Sequence, residues 1–203
     1  MTHRTSRRFF LRESLLVTTG VCAGICVPEF LKNQFVSIAN ADDGKSPAGF
    51  EQRLRDLNIE LPPQGAPVAV YVPAVVTGDL LFSAGHIPRT MDGELVTGRI
   101  GDDLTLEEGY DAARLVGLHL LSTVRGTLGS LDRVVKLVKV LGMVNCTSEF
   151  TQQSQVVNGF SELMVEVFGE QSGKAGRSAV GMGSLPLNVP VEIEAVFEIV
   201  PDR

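Results

Sequence analysis

The run VPVEIEAVFEIV, residues 189 to 200, reads as a strand with two unlike sides. Side chains alternate along a strand, so Val191, Ile193, Ala195 and Phe197 share one face while Glu192, Glu194, Val196 and Glu198 share the other. Such a strand belongs to a sheet with one face packed on a core and the other facing solvent or a partner. Just upstream, Arg177 opens a second strand-prone stretch, 177 to 183, after a glycine-rich loop. Charge in such apolar surroundings is costly unless it is answered, so Arg177, Glu192 and Glu194 mark the place to look for a site.

The other elements follow from pattern. FEQRLRDLNIEL, residues 50 to 61, has Phe50, Leu54, Leu57 and Leu61 at helical spacing, and Pro62 and Pro63 end it. VAVYVPAVVTGDLLFSAG, residues 68 to 85, reads as two strands about a Thr77-Gly78-Asp79 turn, and a short strand is expected around Leu95 to Thr97. Residues 105 to 128 form an amphipathic helix capped by Thr105, with Glu107 and Glu108 in its first turn. Residues 134 to 144 are dense in β-branched side chains and read as strand; Thr151 to Phe168 reads as a second helix, with Gly169 to Gly176 a loop. The order β-β-β-α-β-α-β-β implies an α+β fold, a sheet with two helices packed on one face. Apolar residues on both parities of several strands imply self-association that covers the second face.

Residues 1–41 carry a separate message. A basic start, an apolar run from Leu15 to Val27 and the small residues Ala39-Asn40-Ala41 have the order of an export signal. Ser6 to Arg12, SRRFFLR, resembles a twin-arginine signal, which implies a periplasmic or otherwise exported protein; the alternative is an amphipathic N-terminal helix on a cytoplasmic one. The apolar run is shorter than the ~20 residues of a membrane span, so no stable membrane insertion of the mature domain is expected. Residues 42–66 then read as a linker and short helix, and 67–203 as the main domain.

Taking the five basic and two acidic residues of 1–41 from the 18 and 24 of the whole chain leaves 13 against 22, a formal charge of −9. That balance disfavours nucleic acid as a partner. Cys146 is the one cysteine outside 1–41, so no disulfide framework holds the domain. HExxH, CxxC, GxGxxG and GxxxxGK[ST] are all absent, and His3, His86 and His119 form no metal or triad pattern; no metal and no cofactor are expected. A guanidinium at 177 offers a fork matched to a carboxylate, so a small organic acid is its natural ligand, or else it pairs locally at a strand start. Glu192 and Glu194 either serve as general acid or base or sit as ordinary acids on a wet face, and periodicity does not separate the two readings. Tyr71, His86 and Asn158 are further polar groups for a pocket.

The segments YVPAVVTGDLLFSAGHIP, LGSLDRVVKLVKVLGMVN, VNGF and GRSAVGMGSLPLNVPVEIEAVFEI, spanning Val68 to Val200, resemble in order the reactive intermediate (imine) deaminases, the Rid or YjgF-like proteins. The resemblance implies a YjgF-like domain over 67–203, a chorismate-mutase-like fold with a mixed sheet, and homotrimers with clefts between subunits. It also implies cofactor-independent hydrolysis of small enamine or imine carboxylates to 2-oxo acids and ammonia, with a non-catalytic carboxylate-binding or regulatory trimer as the alternative. By position, Arg177 resembles the family's carboxylate-gripping arginine and Glu194 its water-orienting, proton-handling glutamate. Tyr71 resembles the tyrosine at the cleft wall, Asn158 the asparagine supporting the pocket, and Gly85 the glycine of the Ser-Gly-x-Ile-Pro turn. Ala179 stands where the active deaminases have Cys, Ala84 where they have Ser, and His86 where Gln is frequent.

Overall fold

A computed structural model describes residues 49–64 and 70–201. The export reading of 1–41 therefore lies outside the described residues. The helices are α1 (Phe50–Asp56), α2 (Leu106–Leu128) and α3 (Gln153–Gly173), and the strands are β1 (Ala74–Thr77), β2 (Leu80–Ser83), β3 (Val134–Asn145), β4 (Gly176–Met182) and β5 (Val191–Ile199). They build a five-stranded sheet in the order β1-β2-β5-β3-β4. All pairings are antiparallel except β3 with β4, which are joined through α3 as a parallel crossover unit. The fold is thus α+β with a mixed sheet, and β1 and β4 are its two edges.

Local chemistry accounts for the elements. The Thr105 side chain accepts the Glu108 N–H while the Glu108 carboxylate accepts from the Thr105 N–H, a reciprocal cap that starts α2 where the sequence places it. Gly129, at φ 82°, ends α2 in the left-handed conformation. Both helices lie on one face: Val116, Leu120, Val124, Phe160, Leu163 and Met164 are buried against Leu81, Val140, Ile193 and Phe197 of the sheet. α2 and α3 approach so closely that a Cβ at Gly159 would overlap the Tyr110 carbonyl.

Several boundaries differ from the sequence expectation. α1 stops at Asp56, where Leu57 caps it and Asn58 adopts φ 53°, so Phe50 and Leu54 are buried but Leu57 is exposed. The strand expected at 95–97 is reduced to a single bridge between Arg89 and Leu95. The chain folds back on itself there, with Thr90 and Glu94 bonded to each other across the Asp92-Gly93 turn. α3 runs to Gly173 rather than Phe168, with Gly169 (φ 77°) as an interruption, and Gln152 rather than Thr151 stands at its N-cap.

Candidate functional site

Arg177 lies second in β4, opposite Val140 of β3. Val140 is a core residue, and residues paired across strands share a face, so the Arg177 side chain leaves the sheet on the helix-covered side. There it meets a polar stripe on α3. Nη1 donates to Asn158 Oδ1 and Ser161 Oγ, both at 2.9 Å, and Nη2 donates to the Ser154 carbonyl at 3.2 Å. Residues 154, 158 and 161 are spaced by four and three, which brings them to one side of a helix. The guanidinium is thereby fixed in orientation while Nε–H stays outside these bonds. Among the described residues no carboxylate forms an ion pair with it. Partial burial draws its pKa below the ordinary arginine value. Beside it runs a groove of about 570 Å³ between α3 and β4, floored by Leu137, Val140, Val165 and Ala175 and rimmed by Glu162 and Lys174.

The glutamates leave the sheet on its other side. Glu192 pairs with Met143 and Glu194 with Leu141, which alternate with the buried Val140 and Val144 of β3. Glu192 is half-buried and Glu194 is exposed. The Glu192 carboxylate rests directly over Gly85, where any Cβ would collide with it. Burial, and then the charge of Glu194, push the Glu192 pKa above the usual carboxylate value. Of the two acids it is therefore Glu192 that the fold shapes.

Within one chain, then, the residues named from the sequence fall into three places. Arg177, Asn158 and Ala179 are together on the covered face at the β4 edge, Ala179 packing on the core beside Gly142. Glu194, with Glu192 and Gly85, is on the open face. Tyr71 is 45% exposed in the bend that leads into β1, the opposite edge of the sheet. Arg177 and Glu194 do not meet within the chain, because odd and even positions of β4 and β5 address opposite faces. Ser161 was not singled out from the sequence, although the 154/158/161 stripe of polar residues on an otherwise amphipathic helix is a readable signal.

No group of three or more His, Cys, Asp or Glu fit to hold a metal occurs among the described residues, and none of their helices is long and apolar enough to cross a membrane. Residues 51–197 match the family model described as “YjgF/chorismate_mutase-like, putative endoribonuclease”. Protein TCP17 of Trypanosoma cruzi is 42% identical over 146 residues, covering 72% of this chain and 91% of the relative. A crystal structure of a protein of unknown function from Agrobacterium tumefaciens superposes with a TM-score of 0.67 at 38% identity, over 74% of this chain and 94% of that one. A second, from Shewanella oneidensis, gives a TM-score of 0.70 at 27% identity, over 74% and 99%.

Proposed function

The chain belongs to the YjgF/chorismate-mutase-like family, and from that premise we propose that it is a cofactor-independent deaminase of small enamine or imine carboxylates, working as a ring of three identical subunits. The observation that carries this reading is the Arg177 guanidinium, held by three bonds to α3 yet without a carboxylate partner among the described residues. A substrate carboxylate supplies that partner through a charge-assisted fork.

Asn158 and Ala179 sit with Arg177 at the β4 edge, whereas Tyr71 leads into the β1 edge and the glutamates are on the open face. Opposite edges of one sheet become neighbours when identical subunits join head to tail and the ring closes. The cleft of this reading is therefore composite: Arg177, Asn158 and Ala179 from one subunit, Glu192, Gly85 and Tyr71 from the next. The water-orienting role that the resemblance gives to Glu194 passes to Glu192, whose burial over Gly85 raises its basicity, while Glu194 tunes it by charge.

In that cleft the carboxylate fork fixes the imine carbon, and Glu192 takes a proton from a water as the water's oxygen adds to that carbon. Glu192 passes that proton to the imine nitrogen to give a neutral carbinolamine, then takes the hydroxyl proton as the C=O bond forms and delivers it to the nitrogen as the C–N bond breaks, so that the nitrogen leaves as ammonia. Water and imine go in, 2-oxo acid and ammonia come out, and no electrons change hands. The −9 charge of residues 42–203 favours this over the endoribonuclease of the family description. Export of the folded trimer by a twin-arginine route belongs to the same reading, and N-terminal sequencing of the exported material tests it.

A second reading, a trimer that binds a small carboxylate without turnover, is favoured by Ala84 and Ala179, which lack the hydroxyl and thiol found in the active deaminases. Purified protein added to freshly generated 2-iminobutyrate separates the two. Loss of imine faster than in buffer is expected. No acceleration across several imino acids rejects the deaminase, and saturable 2-oxobutyrate binding then selects the second reading.

A further inference from the structure

Gly85 and His86 are consecutive residues that face opposite ways. Gly85 lies beneath the Glu192 carboxylate on the open side, and His86 turns its ring to the helix-covered side. The ring makes two bonds there. Nδ1 is 2.8 Å from the Ala84 carbonyl, and Nε2 is 2.9 Å from Oγ1 of Thr123, a buried residue of α2. A carbonyl has no proton to give, so Nδ1 must carry the hydrogen and donate. In the neutral ring Nε2 then holds the lone pair and accepts the Thr123 hydroxyl.

The first bond ties residue 84 to residue 86 across Gly85, closing the turn around the glycine. The main chain of His86 completes the attachment: its N–H donates to the Ile193 carbonyl at 2.8 Å and its C=O accepts the Ile193 N–H at 3.0 Å. Ile193 is the residue after Glu192. One residue thus connects the surface under the carboxylate, the strand bearing that carboxylate, and α2 behind the sheet.

We propose that His86 is a positioning residue, acting as the neutral Nδ1–H tautomer to hold Gly85 under Glu192, and that protonation of its ring loosens this hold on the acid side. The proposal rests on the site assigned above but concerns a residue outside the cleft. An imidazolium has two donors and no acceptor, so the Thr123 hydroxyl must reverse, and a charge is introduced beside the core. His119 of α2 opposes that charge, while Glu192 approaches only the glycine, from the far side of the sheet. His119 is itself bonded to the Arg89 carbonyl at 3.1 Å. Burial, partly offset by the Ala84 bond, holds His86 below the ordinary histidine value, and burial does the same to His119.

The test uses full-length protein with His86→Ala, His86→Gln, Thr123→Val and, as a control, His119→Gln. In the imine assay His86→Ala lowers kcat about tenfold with KM within about twofold, because Arg177 still grips the carboxylate. His86→Gln, which supplies a donor and an acceptor but does not titrate, recovers most of that loss and removes the imidazole's share of the acid limb of kcat, leaving the share that protonation of Glu192 gives. An acid limb that persists unchanged in His86→Gln, or that moves only in His119→Gln, overturns the proposal.

A readout independent of turnover covers a protein that proves to be only a binder. Nitrogen-15 spectra of the imidazoles identify the tautomer, and a neutral ring protonated at Nε2 overturns the assignment. For stability the sign follows from a folded pKa below the unfolded one: His86 leaves stability intact above about pH 6.5 and lowers it as pH falls from there through the folded value. The fall in Tm between about pH 7 and pH 5 is accordingly smaller in His86→Gln than in wild type. An equal fall contradicts the proposal.

Discussion

A guanidinium has five N–H donors, and Arg177 gives three of them to α3. The bonds to Asn158 and Ser161 fix the plane of the fork, so the remaining donors act as a preorganised carboxylate grip. Arg177→Ala is expected to lower kcat/KM about 100-fold, the loss of about 3 kcal/mol of charge-assisted bonding. Arg177→Lys should recover little, since an ammonium cannot present a planar fork. Steady-state kinetics with light scattering to verify assembly checks both. For Glu192, a raised folded pKa means that the ionised carboxylate disfavours the fold; stability falls as pH climbs from the unfolded value through the folded one. Glu192→Gln should therefore melt no lower than wild type at neutral pH while losing turnover, whereas Glu194→Gln retains most activity. The sequence pointed to Arg177 and to a glutamate pair. The resemblance named Glu194, and parity does not separate it from Glu192, because both address one face; the contact that distinguishes Glu192 runs to Gly85, more than a hundred residues away.

Helix α2 was legible because its determinants are local: the Thr105–Glu108 cap, the apolar stripe and the Gly129 stop all lie within the element. Thr105→Ala is expected to destabilise by about 1 kcal/mol in denaturant titration, the usual value of an N-cap. The strand expected at 95–97 was misread because Leu95 to Thr97 has strand composition, whereas the Asp92-Gly93 turn closes a tight loop that leaves one bridge. The end of α3 was misread for a related reason. Gly169 does break the helical dihedrals, but the chain resumes a turn before Lys174. Helix–helix approach is the least legible feature of this scale. Gly159 has its α-carbon against the Tyr110 carbonyl, and nothing in VNGF announces it. Because the obstacle is backbone, Gly159→Ala should destabilise by about 1–3 kcal/mol through overpacking and disturb the neighbouring Asn158–Arg177 bond.

At the scale of the whole molecule, two features call for a second copy. The uncovered sheet face exposes Val75, Phe82 and Val180. In the proposed function the two sheet edges carry complementary parts of one site, Arg177 on β4 and Tyr71 before β1. Phe82→Glu is expected to shift the species seen by light scattering from trimer to monomer and to abolish turnover without touching a residue of the cleft. The one-sided core was legible in the alternation of residues 189 to 200. That the guanidinium and carboxylate address different faces was not, since it follows from the β3–β4 and β3–β5 registers taken together. Co-expression of Arg177→Ala with Glu192→Gln measures the composite cleft most directly. Each variant alone keeps about 1% of wild-type activity or less, and random assembly of the two restores both groups in about a quarter of the clefts of a closed ring. Recovery of that fraction of wild-type imine hydrolysis is the predicted result; mixed trimers as inactive as either parent would contradict a site shared between subunits.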